Sequence, residues 1–136
     1  RGFLGLLGNQ LATGEAFHIT SDEVLTWNKI YELTAQAIEV TPELVHIPSE
    51  LIAAYDPEMG DGLLGDKTHS KIFDNTKIKH LVPDFQTTIP FAHGVKETIA
   101  WLDANPASQH INPDFNALVD RMLAAYASAW PKPPRA

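Results

Sequence analysis

At 136 residues the chain is one domain's worth of polypeptide, and its 44% hydrophobic and 20% charged content is that of an ordinary globular protein able to bury a core. A formal net charge of −7, with the 10 Lys and Arg scattered, excludes a nucleic-acid surface and a basic membrane-binding patch. The lack of cysteine excludes disulfides and thiolate metal sites and fits a cytoplasmic location, and no apolar run approaches the ~20 residues of a membrane helix.

Gly2-Phe3-Leu4-Gly5-Leu6-Leu7-Gly8 has the G-x-x-G-x-x-G spacing of a dinucleotide turn. Such a turn works only between a strand and a helix, where glycines admit the pyrophosphate to the backbone and the helix N-terminus faces it. With no strand ahead of it and a loop at 9–14, the segment reads as the tail of a helix, with Leu4 and Leu7 buried and Gly8 as its left-handed stop. Gly14 then opens a strand, Glu15–Thr20, whose Phe17 and Ile19 alternate with polar neighbours. Thr26 is a good N-cap for a helix in which Trp27, Ile30, Tyr31, Thr34, Ala37 and Ile38 recur at helical spacing. Thr41-Pro42 ends that helix, because the residue before proline avoids the α region.

Leu44-Val45-His46-Ile47 predicts a short strand stopped by Pro48, and Ser49 a cap for a helix through Ile52 and Tyr55. From Asp56 to His69 the residues Pro57, Gly60, Gly62 and Gly65 break any periodicity, which predicts a long loop of the kind that often carries function. Lys71-Ile72-Phe73 predicts a third short strand, and Asn75–Val82 a helix with Asp74 as N-cap. Pro90 suits the first turn of a helix running to about Ala104, with Phe91, Val95, Ile99 and Leu102 on one apolar face. Asn112-Pro113-Asp114 is a capped start for the cleanest stripe in the chain: Phe115, Leu118, Val119, Met122, Leu123, Tyr126 and Trp130. Pro131-Lys132-Pro133-Pro134 closes it in a frayed tail. The expected fold class is α/β, in an α+β-like arrangement of several helices with a small sheet of short strands, as a single domain over 1–130.

Several chemistries fail on spacing. An EF-hand loop needs oxygens at positions 1, 3 and 5, glycine at 6 and glutamate at 12. Counted from Asp56, those last three positions hold Gly60, Asp61 and Lys67. The histidines His18, His46, His69, His80, His93 and His110 show no H-x-x-x-H or H-E-x-x-H pattern. No serine sits in G-x-S-x-G. Trp27, Trp101 and Trp130 lie at helical spacing among aliphatic residues, which predicts core packing.

Three blocks carry a resemblance. Gly14-Glu15-Ala16-Phe17-His18-Ile19 precedes a Thr-capped helix; Asp74-Asn75-Thr76-Lys77 precedes the aromatic turn Pro83-Asp84-Phe85; Pro90-Phe91-Ala92-His93-Gly94-Val95 runs on to Trp101-Leu102. In wording and order they resemble the C-terminal half of the extended short-chain dehydrogenase/reductases, the NAD-dependent epimerase/dehydratase family. The likeness covers most of residues 10–105. It implies the substrate-binding half of a Rossmann-type enzyme. The family's Tyr-x-x-x-Lys pair has no counterpart, since Tyr31 is followed four positions on by Ala35, Tyr55 by Met59 and Tyr126 by Trp130. The chain, which opens mid-helix at Arg1 as a fragment would, is therefore expected to hold no catalytic residue, no cofactor and no metal, and to be inactive alone. Its expected partner is an N-terminal Rossmann domain that binds NAD or NADP.

The resemblance also implies a site. Gly65-Asp66 falls where the family places a Gly-Asp ahead of its Asp-x-Ser/Thr-Lys helix, so Asp66, Lys67 and His69 are the expected substrate-binding residues. Many members carry an arginine just before that Gly-Asp to grip a substrate diphosphate. Here the region reads Gly62-Leu63-Leu64, and Lys67 and His69 are left to supply charge or hydrogen bonds. The expected substrate is a nucleotide-linked or phosphorylated sugar, with a smaller alcohol or carbonyl compound left open by the missing arginine. In the family the strand at Glu15–Thr20 joins the cofactor-domain sheet and the next helix packs on it. Without that cover, Phe17, Ile19, Trp27 and Ile30 are expected to drive a homo-oligomer. The alternative is a stand-alone, non-catalytic binding or interaction domain.

Overall fold

A computed structural model describes residues 1–129. Trp130 of the predicted stripe and the tail at 131–136 lie outside the described residues. The elements in order are α1 (Gly2–Leu6), a 3-10 turn (Gln10–Ala12), α2 (Trp27–Ala37), α3 (Ser49–Tyr55), α4 (Pro57–Gly62), a π turn (Leu63–Lys67), α5 (Thr76–Leu81), α6 (Phe91–Ala104), a second 3-10 turn (Pro106–Ser108) and α7 (Pro113–Ser128). They fall into two compact units, Arg1–Pro42 with Lys71–Pro106 and Glu43–Ser70 with Ala107–Ala136.

In the first unit the Thr26 hydroxyl accepts the Lys29 N–H at 3.2 Å and starts α2 as its sequence predicts. The helix stops at Ala37, ahead of Thr41-Pro42: Glu39 takes a left-handed φ of 58°, and the Val40 N–H returns to the Ala35 carbonyl. α2 packs on α6, and the predicted apolar face of α6 (Phe91, Val95, Ile99, Leu102) is half-buried along its length. The inward face of α2 is rotated from the predicted stripe. It presents Ile30, Leu33, Thr34 and the buried Ala35, and leaves Trp27 63% exposed and Tyr31 57% exposed. Trp101 is also exposed, so core packing fails for both described tryptophans.

α1 lies on α5, where Ile78 is fully buried, with Phe85 buried nearby. A Cβ on Gly2 would meet Ile19 and Phe85 at 3.0 Å, and one on Gly5 would meet Val82 at 2.5 Å. The two glycines, three residues apart on one helix face, are there for close packing. They are turned to protein side chains, which does not fit a pyrophosphate site. Gly8 has a left-handed φ of 76°, but as part of a turn closed by the Asn9 N–H on the Leu6 carbonyl and not as the helix stop, because Leu7 before it is already extended; Leu4 and Leu7 are exposed rather than buried.

In the second unit, part of the predicted loop at 56–69 is helical. The Asp56 carboxylate accepts the Met59 N–H at 3.0 Å, and Pro57 takes the first helical position, so α4 starts there. Gly60 lies hard against Ala53 of α3, closer than a Cβ would allow, which is why glycine is tolerated within this helix. The π turn that follows is closed by the Thr68 hydroxyl, which donates to the carbonyls of Leu63 and Leu64 at 2.9 and 3.0 Å. Ser49 is the first residue of α3, not its side-chain cap. α7 begins as predicted, with the Asn112 side chain accepting the Phe115 N–H at 3.0 Å. It buries Met122, with Leu118, Val119, Leu123 and Tyr126 half-buried. Phe115 remains exposed.

The small sheet does not form. Among the described residues there is no strand, and the chain is helical, which overturns the expected α/β class and the strands at 15–20, 44–47 and 71–73. A strand is stabilised by a neighbour strand about 4.8 Å away, and alternation in sequence supplies no neighbour. At 15–20 the groups that a ladder would use on one side are taken by side chains of the α5 region instead. The Ala16 carbonyl accepts Lys77 Nζ at 2.9 Å, and Thr20 is held by Asn75.

Candidate functional site

The first unit is tied together at Asn75. Its position just ahead of α5 is fixed by Asp74, whose Oδ1 accepts the Thr76 N–H at 2.8 Å and the Thr76 hydroxyl at 2.6 Å. Asp74 thus caps from one residue further out than predicted, and the Asn75 side chain is released to reach the segment before α2. Asn75 Nδ2 donates to the Thr20 carbonyl at 2.8 Å and to Asp22 Oδ1 at 3.1 Å. Its Oδ1 accepts the Thr20 N–H at 3.1 Å and the Thr20 hydroxyl at 3.3 Å. The buried amide is fully satisfied, two donors and two acceptors, and replaces a neighbouring peptide unit for Thr20.

Charges flank this latch. Lys79 Nζ meets Asp22 Oδ2 at 2.7 Å, and Lys77 Nζ meets Glu15 Oε2 at 2.6 Å while lying 4.8 Å above the Phe17 ring. The hydrogen bond from Lys79, aided by that from Asn75, holds the Asp22 carboxyl below its ordinary range. Lys77 does the same for Glu15, and the Thr76 hydroxyl and N–H for Asp74. These pairs are exposed, so they orient their segments more than they stabilise them. Glu23 adds the third tie. Pro90 cannot cap α6 with its own side chain, and Glu23 Oε2 instead accepts the Phe91 N–H at 2.8 Å, placing a carboxylate at the positive end of the helix.

A cavity of about 620 Å³ results, lined among others by Asp22, Glu23, Lys71, Phe73, Asp74 and Phe91. Its size is that of a small-molecule site. The His18 ring packs edge-on against Phe73 with centroids 4.9 Å apart. Ionised carboxylates accept up to about four hydrogen bonds each, so Asp22 and Asp74 retain capacity for a ligand's hydroxyls. Their lowered proton affinity suits hydrogen-bond acceptance at neutral pH, whereas a general acid or base there needs a pKa near 7. The arrangement offers hydrogen-bond acceptors and ring faces to a ligand.

The residues expected from sequence lie in the other unit. Asp66 and Lys67 belong to the π turn, and His69 follows it, all three exposed. Lys67 lines a smaller pocket of about 360 Å³ with Asp56, Glu58 and Met59, and neither Asp66 nor His69 lines it. Two carboxylates beside one ammonium favour a cationic or hydroxylated group over a diphosphate. Among the described residues no group of three histidine or acidic side chains is placed to hold a metal.

The chain matches no family model, no curated protein and no solved structure.

Sequence alone assigned no role to the Asn75 side chain and missed that of Glu23. A signal for Asn75 was present: Asp74-Asn75 directly precedes a helix whose Lys77 and Lys79 complement the acidic Glu15 and Asp22. For Glu23, 68 residues from its partner, there was none.

Proposed function

We propose that this chain is the substrate-binding portion of an NAD(P)-dependent epimerase, dehydratase or reductase, acting on a nucleotide-linked or phosphorylated sugar. Cofactor binding and catalysis fall to a Rossmann domain outside the sequence, and the cysteine-free composition suits the cytoplasm. No described helix is long and apolar enough to cross a membrane. One observation carries the reading. The three blocks that resemble the family are those tied to one another by Asn75 and Glu23, around a cavity whose carboxylates and rings suit sugar hydroxyls and the apolar face of a sugar. In this reading the sugar contacts Asp22 and Asp74, and Asp66, Lys67 and His69 stay candidate substrate contacts on the resemblance alone.

Calorimetric titration with UDP-glucose, glucose 1-phosphate, NAD and NADP tests the proposal. The first two should bind saturably, each losing at least several-fold in affinity in Asp74→Asn, and the dinucleotides should give no signal. In the intact enzyme the same substitution should raise KM more than it lowers kcat, because it removes binding rather than chemistry. Absence of saturable binding by either sugar compound, or micromolar binding of NAD, overturns the proposal. A second reading, a non-catalytic interaction domain, is favoured by the exposed Trp27–Tyr31 pair on α2, with ring centroids 6.3 Å apart. It predicts no response to any of the four compounds.

A further inference from the structure

The segment 15–20 alternates sides. Phe17 and Ile19 line a groove of about 430 Å³ with Phe3, Leu6 and Leu7. His18 turns the other way onto Phe73, and Thr20 lines the cavity beyond it. Such alternation is the period-two geometry of an extended chain, in which the N–H and C=O of one residue point to one edge and those of the next to the opposite edge. The Ala16 carbonyl and both backbone groups of Thr20 face the α5 region, where Lys77 and Asn75 take them. The groups of Phe17 and Ile19 therefore face the opposite edge, and none of the described residues hydrogen-bonds them.

We infer that this edge is the interface of a two-fold dimer, in which residues 17–19 of two copies pair antiparallel about His18. A second copy fits because the segment is complementary to itself. Centring the two-fold on His18 sets Phe17 opposite Ile19 of the other copy, and Ile19 opposite its Phe17. Both are hydrogen-bonded pairs in which each residue exchanges its N–H and C=O with the other. Four unpaired donors and four unpaired acceptors are satisfied in a single register. An aromatic side chain facing a β-branched one is a favourable cross-strand pair, and both lie on the groove side. The groove contributes the area. Phe3 is 65% exposed, Leu7 60% and Ile19 40%. At on the order of 100 Å² for each large apolar side chain, the groove and paired backbones of two copies together cover roughly 1,000 Å². That is the low end for a specific interface, where weak and concentration-dependent association is expected. This inference stands on the open edge and does not use the enzymatic reading above; a Rossmann-domain sheet that took this edge would exclude the second copy.

Sedimentation velocity between about 2 and 200 μM, with amide hydrogen exchange at both ends of that range, tests it. The expected result is a monomer–dimer equilibrium, with the Phe17 and Ile19 amides slowed at high concentration and fast at low. Ile19→Lys should shift dissociation at least tenfold toward monomer, while Phe115→Lys, in the other unit, should leave it unchanged. Circular dichroism checks that both variants keep their helices. If Ile19→Lys does not fold, the exchange of the two amides in the unaltered chain decides the matter. A monomer throughout the range, a dimer whose Phe17 and Ile19 amides exchange freely, or a dimer broken by Phe115→Lys overturns the inference.

Discussion

Replacing Asn75 with alanine removes four hydrogen bonds from one buried side chain. A neutral hydrogen bond contributes about 1 kcal/mol net, and one to a charged group such as Asp22 about 1.5–3. Thr20 is half-buried, so water recovers part of what is lost, and the four bonds share one geometry and do not add. We expect Asn75→Ala to cost about 2–4 kcal/mol. Against a total stability of about 5–15 kcal/mol for a native domain, that is a large share. For a unit of this size it lowers the melting temperature by roughly 10 °C or more. Asn75→Asp is the sharper variant. It keeps the shape and the Oδ1 acceptor but turns a carboxylate oxygen toward the Thr20 carbonyl and Asp22, so at neutral pH it should be worse than alanine. Urea unfolding followed by circular dichroism measures both, and exchange of the Thr20 amide reports the latch directly. A loss below about 0.5 kcal/mol for Asn75→Ala, or an aspartate variant as stable as the alanine one, would refute the reasoning.

Glu23→Ala should cost about 0.5–2 kcal/mol by uncapping α6, with faster exchange confined to the Phe91 amide and the first turn; unchanged exchange there would remove Glu23 from its role. Gly5→Ala forces a Cβ onto Val82 and should destabilise the first unit by about 1–3 kcal/mol, measured by urea unfolding. A neutral result would mean that the glycine is not needed for packing. The carboxyls of Glu15, Asp22 and Asp74 bind protons less readily folded than unfolded, so their contribution is present at neutral pH and is lost as the pH falls from the ordinary carboxylate range near 4 through their lowered values. Unfolding followed between pH 7 and 2 should show the first unit weakening in that window, and Asp22→Asn should flatten the slope.

What the sequence determined by itself is local. Thr26 and Asn112 started their helices, Pro90 preceded α6, and the apolar spacing of Phe91, Val95, Ile99 and Leu102 marked the inward face of α6. Each of these depends on groups within a few residues of one another, so spacing is enough to see them. The tertiary structure decided everything that needed a distant partner. Alternation at Phe17 and Ile19 made the segment extended, but no neighbour strand arrived, and side chains of the α5 region took the groups on one edge. Glycines that broke the pattern at 56–69 became tolerable in α4 once Asp56 capped it and Ala53 packed against Gly60. Composition made Trp27 and Trp101 good core residues, but burial depends on what faces a side chain, and the described residues leave these two more than half exposed. The candidate site moved for the same reason. Asp66, Lys67 and His69 are neighbours in sequence, whereas Asp22, Glu23 and Asp74 converge only because one buried amide spans 55 residues to Thr20 and a carboxylate meets a helix end 68 residues away.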